Sequence, residues 1–128
     1  MSEAKADPRP RILIVDDDPA VREILSAVFR RERWHVEAAS DGERAIALLG
    51  TSSYSAVVLD LLMPRLNGAA VVQFIKESGL TTPVIVLTAL TSNAQDLDPH
   101  IVRVTLQKPF EVGELRAVVR AVIRAVAK

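Results

Sequence analysis

The sequence predicts an α/β fold in which five parallel strands form one sheet and helices wind over both faces. Three observations predict it. Short apolar runs alternate with segments of helical period in five units of about 20–25 residues, the rhythm of strand–helix repeats in a parallel sheet. The runs Ile12-Leu13-Ile14-Val15, Ala56-Val57-Val58-Leu59 and Val84-Ile85-Val86-Leu87 lack polar alternation, as strands covered on both faces require. Four of the five runs stop on a polar residue: Asp16 and Asp17, Asp60, Thr88, and Lys108. Right-handed crossovers bring those ends to one edge of the sheet, where open α/β sheets place their ligands.

At 128 residues the chain fits one domain with a substantial core. Its 49% hydrophobic and 25% charged residues are ordinary for a globular protein. Sixteen basic and sixteen acidic side chains cancel, so bulk charge gives no drive toward nucleic acid or an anionic membrane. The absence of cysteine excludes disulfides, thiolate catalysis and cysteine metal sites. No apolar run approaches the roughly 20 residues that span a bilayer. The start, Met1-Ser2-Glu3-Ala4-Lys5-Ala6-Asp7, lacks the apolar core of a secretory signal. A cytoplasmic, single-domain protein with no membrane contact is the expectation.

Residues 1–10, small, charged and broken by Pro8 and Pro10, read as a flexible tail before a domain spanning 11–128. The first strand covers 11–15. Asp18-Pro19 then reads as an N-cap followed by proline at the first helical position, and the helix continues to about Arg31 with Val21, Ile24, Leu25 and Val28 inward. Arg30, Arg31 and Arg33 suit the dipole at its end. Trp34–Ala39 is the second strand. Ser40 and Glu43 have capping-box spacing ahead of a short helix that carries Ala45, Ile46, Leu48 and Leu49 and stops at Gly50. The central strand ends at Asp60, and a loop from Met63 leads to a third helix over Gly68–Ser78, closed by Gly79. The fourth strand, Val84–Leu87, ends at Thr88. From Thr91 to His100 the apolar period fails, so the fourth helix is expected to be short or irregular. The fifth strand is Arg103–Gln107. The last helix, Glu111 to about Ala127, buries Leu115, Val118, Val119, Val122 and Val126. Its Arg116, Arg120, Arg124 and Lys128, four residues apart, read as a solvated stripe.

Three carboxylates gathered at one sheet edge repel one another and raise a pKa unless a cation joins them. An all-oxygen cluster without cysteine or nearby histidine suits a hard ion, Mg²⁺ or Mn²⁺. Lys108 adds a fixed positive charge and Thr88 a hydroxyl. Together these groups match the needs of a transferring phosphoryl group, with a carboxylate as nucleophile and an acyl phosphate as product. Singly, Asp18 reads as a cap, Thr88 as a strand-end turn residue and Lys108 as a solvated lysine. Their common placement carries the argument.

The pieces Ile12-Leu13-Ile14-Val15-Asp16-Asp17-Asp18-Pro19, Leu59-Asp60-Leu61-Leu62-Met63-Pro64 with Asn67-Gly68, Leu87-Thr88-Ala89 and Lys108-Pro109-Phe110 resemble the receiver domain of two-component response regulators. The likeness covers about residues 11–127. It implies a flavodoxin-like, doubly wound sheet of strand order 2-1-3-4-5. By resemblance, Asp60 is the phosphoacceptor, fed by a histidine kinase or histidine phosphotransfer protein. Asp17 is then the direct Mg²⁺ ligand, Asp16 a ligand acting largely through water, and the Leu62 backbone carbonyl a further ligand. Lys108 pairs with the phosphoryl oxygens, Thr88 moves inward on phosphorylation, and the Lys108-Pro109 bond is cis. The resemblance implies a phosphoacceptor rather than a turnover enzyme, acting on a downstream protein. Homodimerisation stays open, and no direct DNA binding is expected of this chain.

Departures fall where receivers signal. Thr105 stands where they usually carry Tyr or Phe, which removes the rotating aromatic switch, and the stretch from Thr88 to Lys108 lacks the usual Gly-Ala-Asp. Leu62 and Leu90, two residues past Asp60 and Thr88, offer nothing to orient hydrolytic water, so slow loss of phosphate is expected. Two other readings compete. One is a degenerate receiver acting as a phosphorylation-independent scaffold. The other is a haloacid-dehalogenase-like phosphatase built on Asp16 and Asp18, which leaves Asp60 unexplained.

Overall fold

The computed structural model describes residues 8–61, 68–88 and 97–127. Its elements are β1 (Arg11–Val15), α1 (Pro19–Arg31), β2 (His35–Ala39), α2 (Gly42–Thr51), β3 (Ala56–Asp60), α3 (Gly68–Glu77), β4 (Val84–Thr88), β5 (Val102–Gln107) and α4 (Val112–Ala127). All strand pairs are parallel and the order is β2-β1-β3-β4-β5, the flavodoxin-like order expected. The expected tail lies outside the described residues over 1–7, as does the weakly patterned segment over 91–96.

The core has two layers because successive residues of a strand face opposite sides of the sheet. Leu13, Val15, Val57, Leu59, Val84 and Val86 pack with Ala45 and Leu49 of α2 and Val71, Val72 and Ile75 of α3. Ile12, Ile14, Val58, Ile85 and Leu87 pack with Leu25 and Phe29 of α1 and Leu115, Val119 and Val122 of α4. The central strands β1, β3 and β4 are thus sealed on both faces, which explains their unbroken apolar runs. Edge strand β5 instead alternates half-buried and exposed positions, with Thr105 among the exposed ones.

Asp18 caps α1 as predicted, its carboxylate accepting from the Ala20 amide at 2.9 Å. Two sequence expectations need correction. The capping box at Ser40 does not form: α2 is capped one residue later by Asp41, which accepts from the Arg44 amide at 2.9 Å, while Glu43 sits in the first turn where its charge suits the dipole. Ile24 is not inward but 54% exposed. The seam of α1 runs instead through Leu25 and its i+4 neighbour Phe29, whose ring meets Trp34 at 5.6 Å between centroids. The stripe on the last helix is partly committed within the molecule, since Arg120 and Arg116 reach Glu32 at the end of α1 at 2.6 and 3.7 Å. No described helix is long and apolar enough to cross a membrane.

At the opposite edge from the strand ends, the Tyr54 hydroxyl donates to Glu37, whose other oxygen lies 3.3 Å from Arg11. Burial, and then Glu37, push the Tyr54 hydroxyl from its ordinary 10.0 up to about 12. The folded state therefore holds this proton more tightly than the unfolded chain does. Its contribution to stability is complete below the unfolded value and is lost as pH rises from about 10 to about 12. Urea midpoints measured between pH 8 and pH 12 should fall across that window. In Tyr54→Phe the fall should be shallower, after a loss of about 1 kcal/mol at neutral pH. An equal alkaline fall in both proteins would assign it to other groups.

Candidate functional site

β1, β3, β4 and β5 deliver the predicted groups to one edge. Asp16 follows β1, Asp60 and Thr88 are the last residues of β3 and β4, and Lys108 follows β5. Asp16, Asp60 and Thr88 are buried, at 1%, 6% and 0% exposure, while Asp17 is exposed. One carboxylate oxygen from each of Asp16, Asp17 and Asp60 lies within 4.8 Å of the other two. Lys108 Nζ stands 3.4 Å from Asp60 Oδ2 and 3.8 Å from Asp16 Oδ2, bridging the two buried acids. The Lys108 amide is itself fixed by a 2.8 Å bond to the Thr88 carbonyl, and the Lys108–Pro109 bond is cis as the resemblance implied.

One lysine does not balance three acids. Burial pushes the Asp16 carboxyl above the ordinary carboxylate range, and the Asp60 and Asp17 charges push the same way, against the Asp18 amide and Lys108. Asp16 Oδ1 accepts from the Asp18 amide at 2.9 Å, but Asp16 Oδ2 is buried with no hydrogen-bond donor. A buried carboxylate oxygen without a donor, beside two further carboxylates, is a site short of positive charge. The donors are all hard oxygens, so they fit Mg²⁺ or Mn²⁺.

The turn between β1 and α1 is tied at several points. Asp18 is engaged as a cap, which leaves the phosphatase-type use of Asp16 and Asp18 without its second acid. Arg22, on the first turn of α1, donates from Nη1 to the Asp16 carbonyl at 2.8 Å. Sequence reasoning missed this contact, and its only trace there was a cation one turn past the cap. Gly68 is the second residue whose role was not legible: its amide donates to the Leu61 carbonyl at 2.8 Å, bringing the start of α3 onto the chain just past Asp60. Leu62, the expected carbonyl ligand, and Leu90, the expected shield against water, lie outside the described residues.

The comparisons agree with this fold. A family model described as the response regulator receiver domain matches residues 12–120. Among curated relatives, the chain is 42% identical over 121 residues to the response regulator MprA of Mycolicibacterium vanbaalenii, covering 89% of this chain and 50% of that protein. It is 34% identical over 131 residues to the transcriptional regulatory protein TrcR of Mycobacterium tuberculosis, covering 94% of this chain and 48% of that one. The chain thus spans about half the length of these relatives. Among solved structures, a Francisella response regulator receiver domain matches with a TM-score of 0.85 at 29% identity, over 92% of this chain and 99% of that one. The response regulator TrrA from Thermotoga maritima, solved in complex with Mg²⁺-BeF, matches with a TM-score of 0.79 at 31% identity, over 88% and 98%.

Proposed function

Because the chain belongs to the response regulator receiver family, we propose that Asp60 accepts a phosphoryl group from a histidine kinase or histidine phosphotransfer protein in a reaction that depends on Mg²⁺ or Mn²⁺. The observation that carries this reading is the meeting of three carboxylates around one buried, donor-less oxygen with an ammonium at their side. Asp16, Asp17, Asp60 and the Leu62 carbonyl would hold the ion. Bound there, the dication would neutralise charge gathering on the phosphoryl oxygens in flight.

The chain's own groups divide the remaining work. An Asp60 carboxylate oxygen attacks phosphorus, forming an O–P bond as the P–N bond of phosphohistidine breaks and its electron pair leaves with the imidazole. Lys108, already within reach of Asp60, would turn its ammonium to the phosphoryl oxygens and steady them. Thr88, at the end of the neighbouring strand, would offer its hydroxyl to the same oxygens and convey the new charge to its loop. With Thr105 exposed on β5 and carrying no ring, that movement is read by smaller rearrangements or at a different output surface. We assign the output to a downstream protein or to chain outside this stretch, where any DNA contact would also lie. Slow loss of phosphate belongs to the same reading.

Intact mass after incubation with acetyl phosphate and Mg²⁺ tests it. The wild-type chain should gain one phosphoryl group, and Asp60→Asn or omission of the metal should abolish the gain. A folded wild-type chain that gains nothing would overturn the phosphoacceptor reading in favour of a phosphorylation-independent scaffold.

A further inference from the structure

Asp16 and Asp17 are neighbours in sequence, and neighbours on an extended strand point to opposite faces. Both nevertheless contribute to one oxygen cluster. The chain must therefore turn at the peptide between them, immediately after β1 ends at Val15. The Asp16 amide still bonds to the Ala39 carbonyl of β2 at 3.2 Å, so the turn begins at the next group along, the Asp16 carbonyl. That carbonyl receives the guanidinium of Arg22. Side chains on a helix lean toward its N-terminus, which lets a residue on the first turn of α1 reach back over the β1–α1 connection. The Arg22 amide bonds to the Asp18 carbonyl at 3.0 Å, so the guanidinium projects from a backbone that is itself fixed to the turn.

We propose that Arg22 is a positioning residue for the metal site: its charge-assisted bond sets the plane of the Asp16–Asp17 peptide and thereby brings the Asp17 carboxylate to Asp16 and Asp60. The assignment rests on the Mg²⁺ reading above. Geometry and charge give opposite signs here. As a point charge near the cluster, Arg22 repels a dication, and its removal tightens binding. As a clamp on the peptide that joins two ligands, it favours binding, and its removal weakens it.

The test is calorimetric titration of Mg²⁺ into the wild-type chain, Arg22→Met and Arg22→Lys. Methionine has nearly the helix propensity of arginine and removes both the donor and the charge, whereas lysine keeps both. Arg22→Met should raise the Mg²⁺ dissociation constant about tenfold, the scale on which supports of metal ligands act. Arg22→Lys should restore most of the affinity. Thermal melts in EDTA should place both variants with the wild type, and if Arg22→Met melts early, the titration is run below its melt, where the tenfold loss should persist. Binding by Arg22→Met as tight as or tighter than wild type would overturn the assignment and leave the metal site standing. A wild-type chain that shows no saturable Mg²⁺ binding would overturn the metal site and the role of Arg22 together.

Discussion

Gly68→Ala is expected to lower stability by about 3 kcal/mol, the upper end of what a tightly packed site costs when overfilled. A Cβ at position 68 would stand 2.8 Å from Leu61 Cα, 2.9 Å from the Asp60 carbonyl oxygen and 3.0 Å from the Leu61 carbonyl oxygen. All three are backbone atoms, so no side chain can swing aside. The requirement is one of space. The strand end that carries Asp60 must move, or the start of α3 must withdraw and give up the 2.8 Å bond from Gly68 to Leu61. The first displacement moves the proposed nucleophile relative to Lys108, and the second frees the chain just past Asp60. Urea denaturation should show the stability loss, and labelling with acetyl phosphate should slow in the fraction that remains folded. An unchanged midpoint with normal labelling would mean that the helix start relaxes freely, contrary to this packing.

Asp16→Asn is expected to act in the reverse sense on the metal-free chain. Asp16 is buried beside two like charges, and one of its oxygens lacks a donor. Removing its charge keeps the side-chain oxygen that accepts from Asp18 while relieving repulsion with Asp60 and Asp17. In EDTA the variant should be more stable than wild type by on the order of 1 kcal/mol, the scale of an uncompensated buried polar group. Saturating Mg²⁺ should reverse the ranking. A ligand at a hundredfold its dissociation constant stabilises the folded state by about 2.7 kcal/mol, and only the wild type should gain it. Paired melts with and without Mg²⁺ measure both effects. A variant less stable than wild type in EDTA would show that the ion pair with Lys108 outweighs the repulsion.

The fold was legible because burial leaves a plain trace. Ile12–Val15 and Val84–Leu87 must be apolar at every position when helices cover both faces, and a polar residue can enter only where the strand leaves the sheet. The same logic exposed Asp16, Asp60 and Thr88 as a set. What stayed hidden depends on pairs of residues distant in the chain or on differences of one position. Ser40 and Asp41 are both good caps, and the folded chain uses Asp41. Ile24 and Leu25 are equally apolar, and the packing of α1 on the sheet buries Leu25 with Phe29. Gly68 carries no chemistry of its own, so its importance appears only when the Leu61 backbone is seen against it. Arg22 looked like any cation on a helix surface until its reach to Asp16 was visible.

Strand order also dictates the sequence of events as the chain is made. Among the described residues, no two strands are joined by a hairpin. β1 waits for β2, whose register pairs Arg11 with His35, and then for β3, where Ile12 meets Ala56. Such pairings close long loops and are intrinsically slow to form. During N-to-C synthesis, β1 and β3 leave the ribosome before β5, so the segments that place Asp16 beside Asp60 exist before Lys108 has been added. The nascent sheet can thus bring two acids together while their ammonium partner is still unmade. Pairing of β4 with β5 is the step that delivers it.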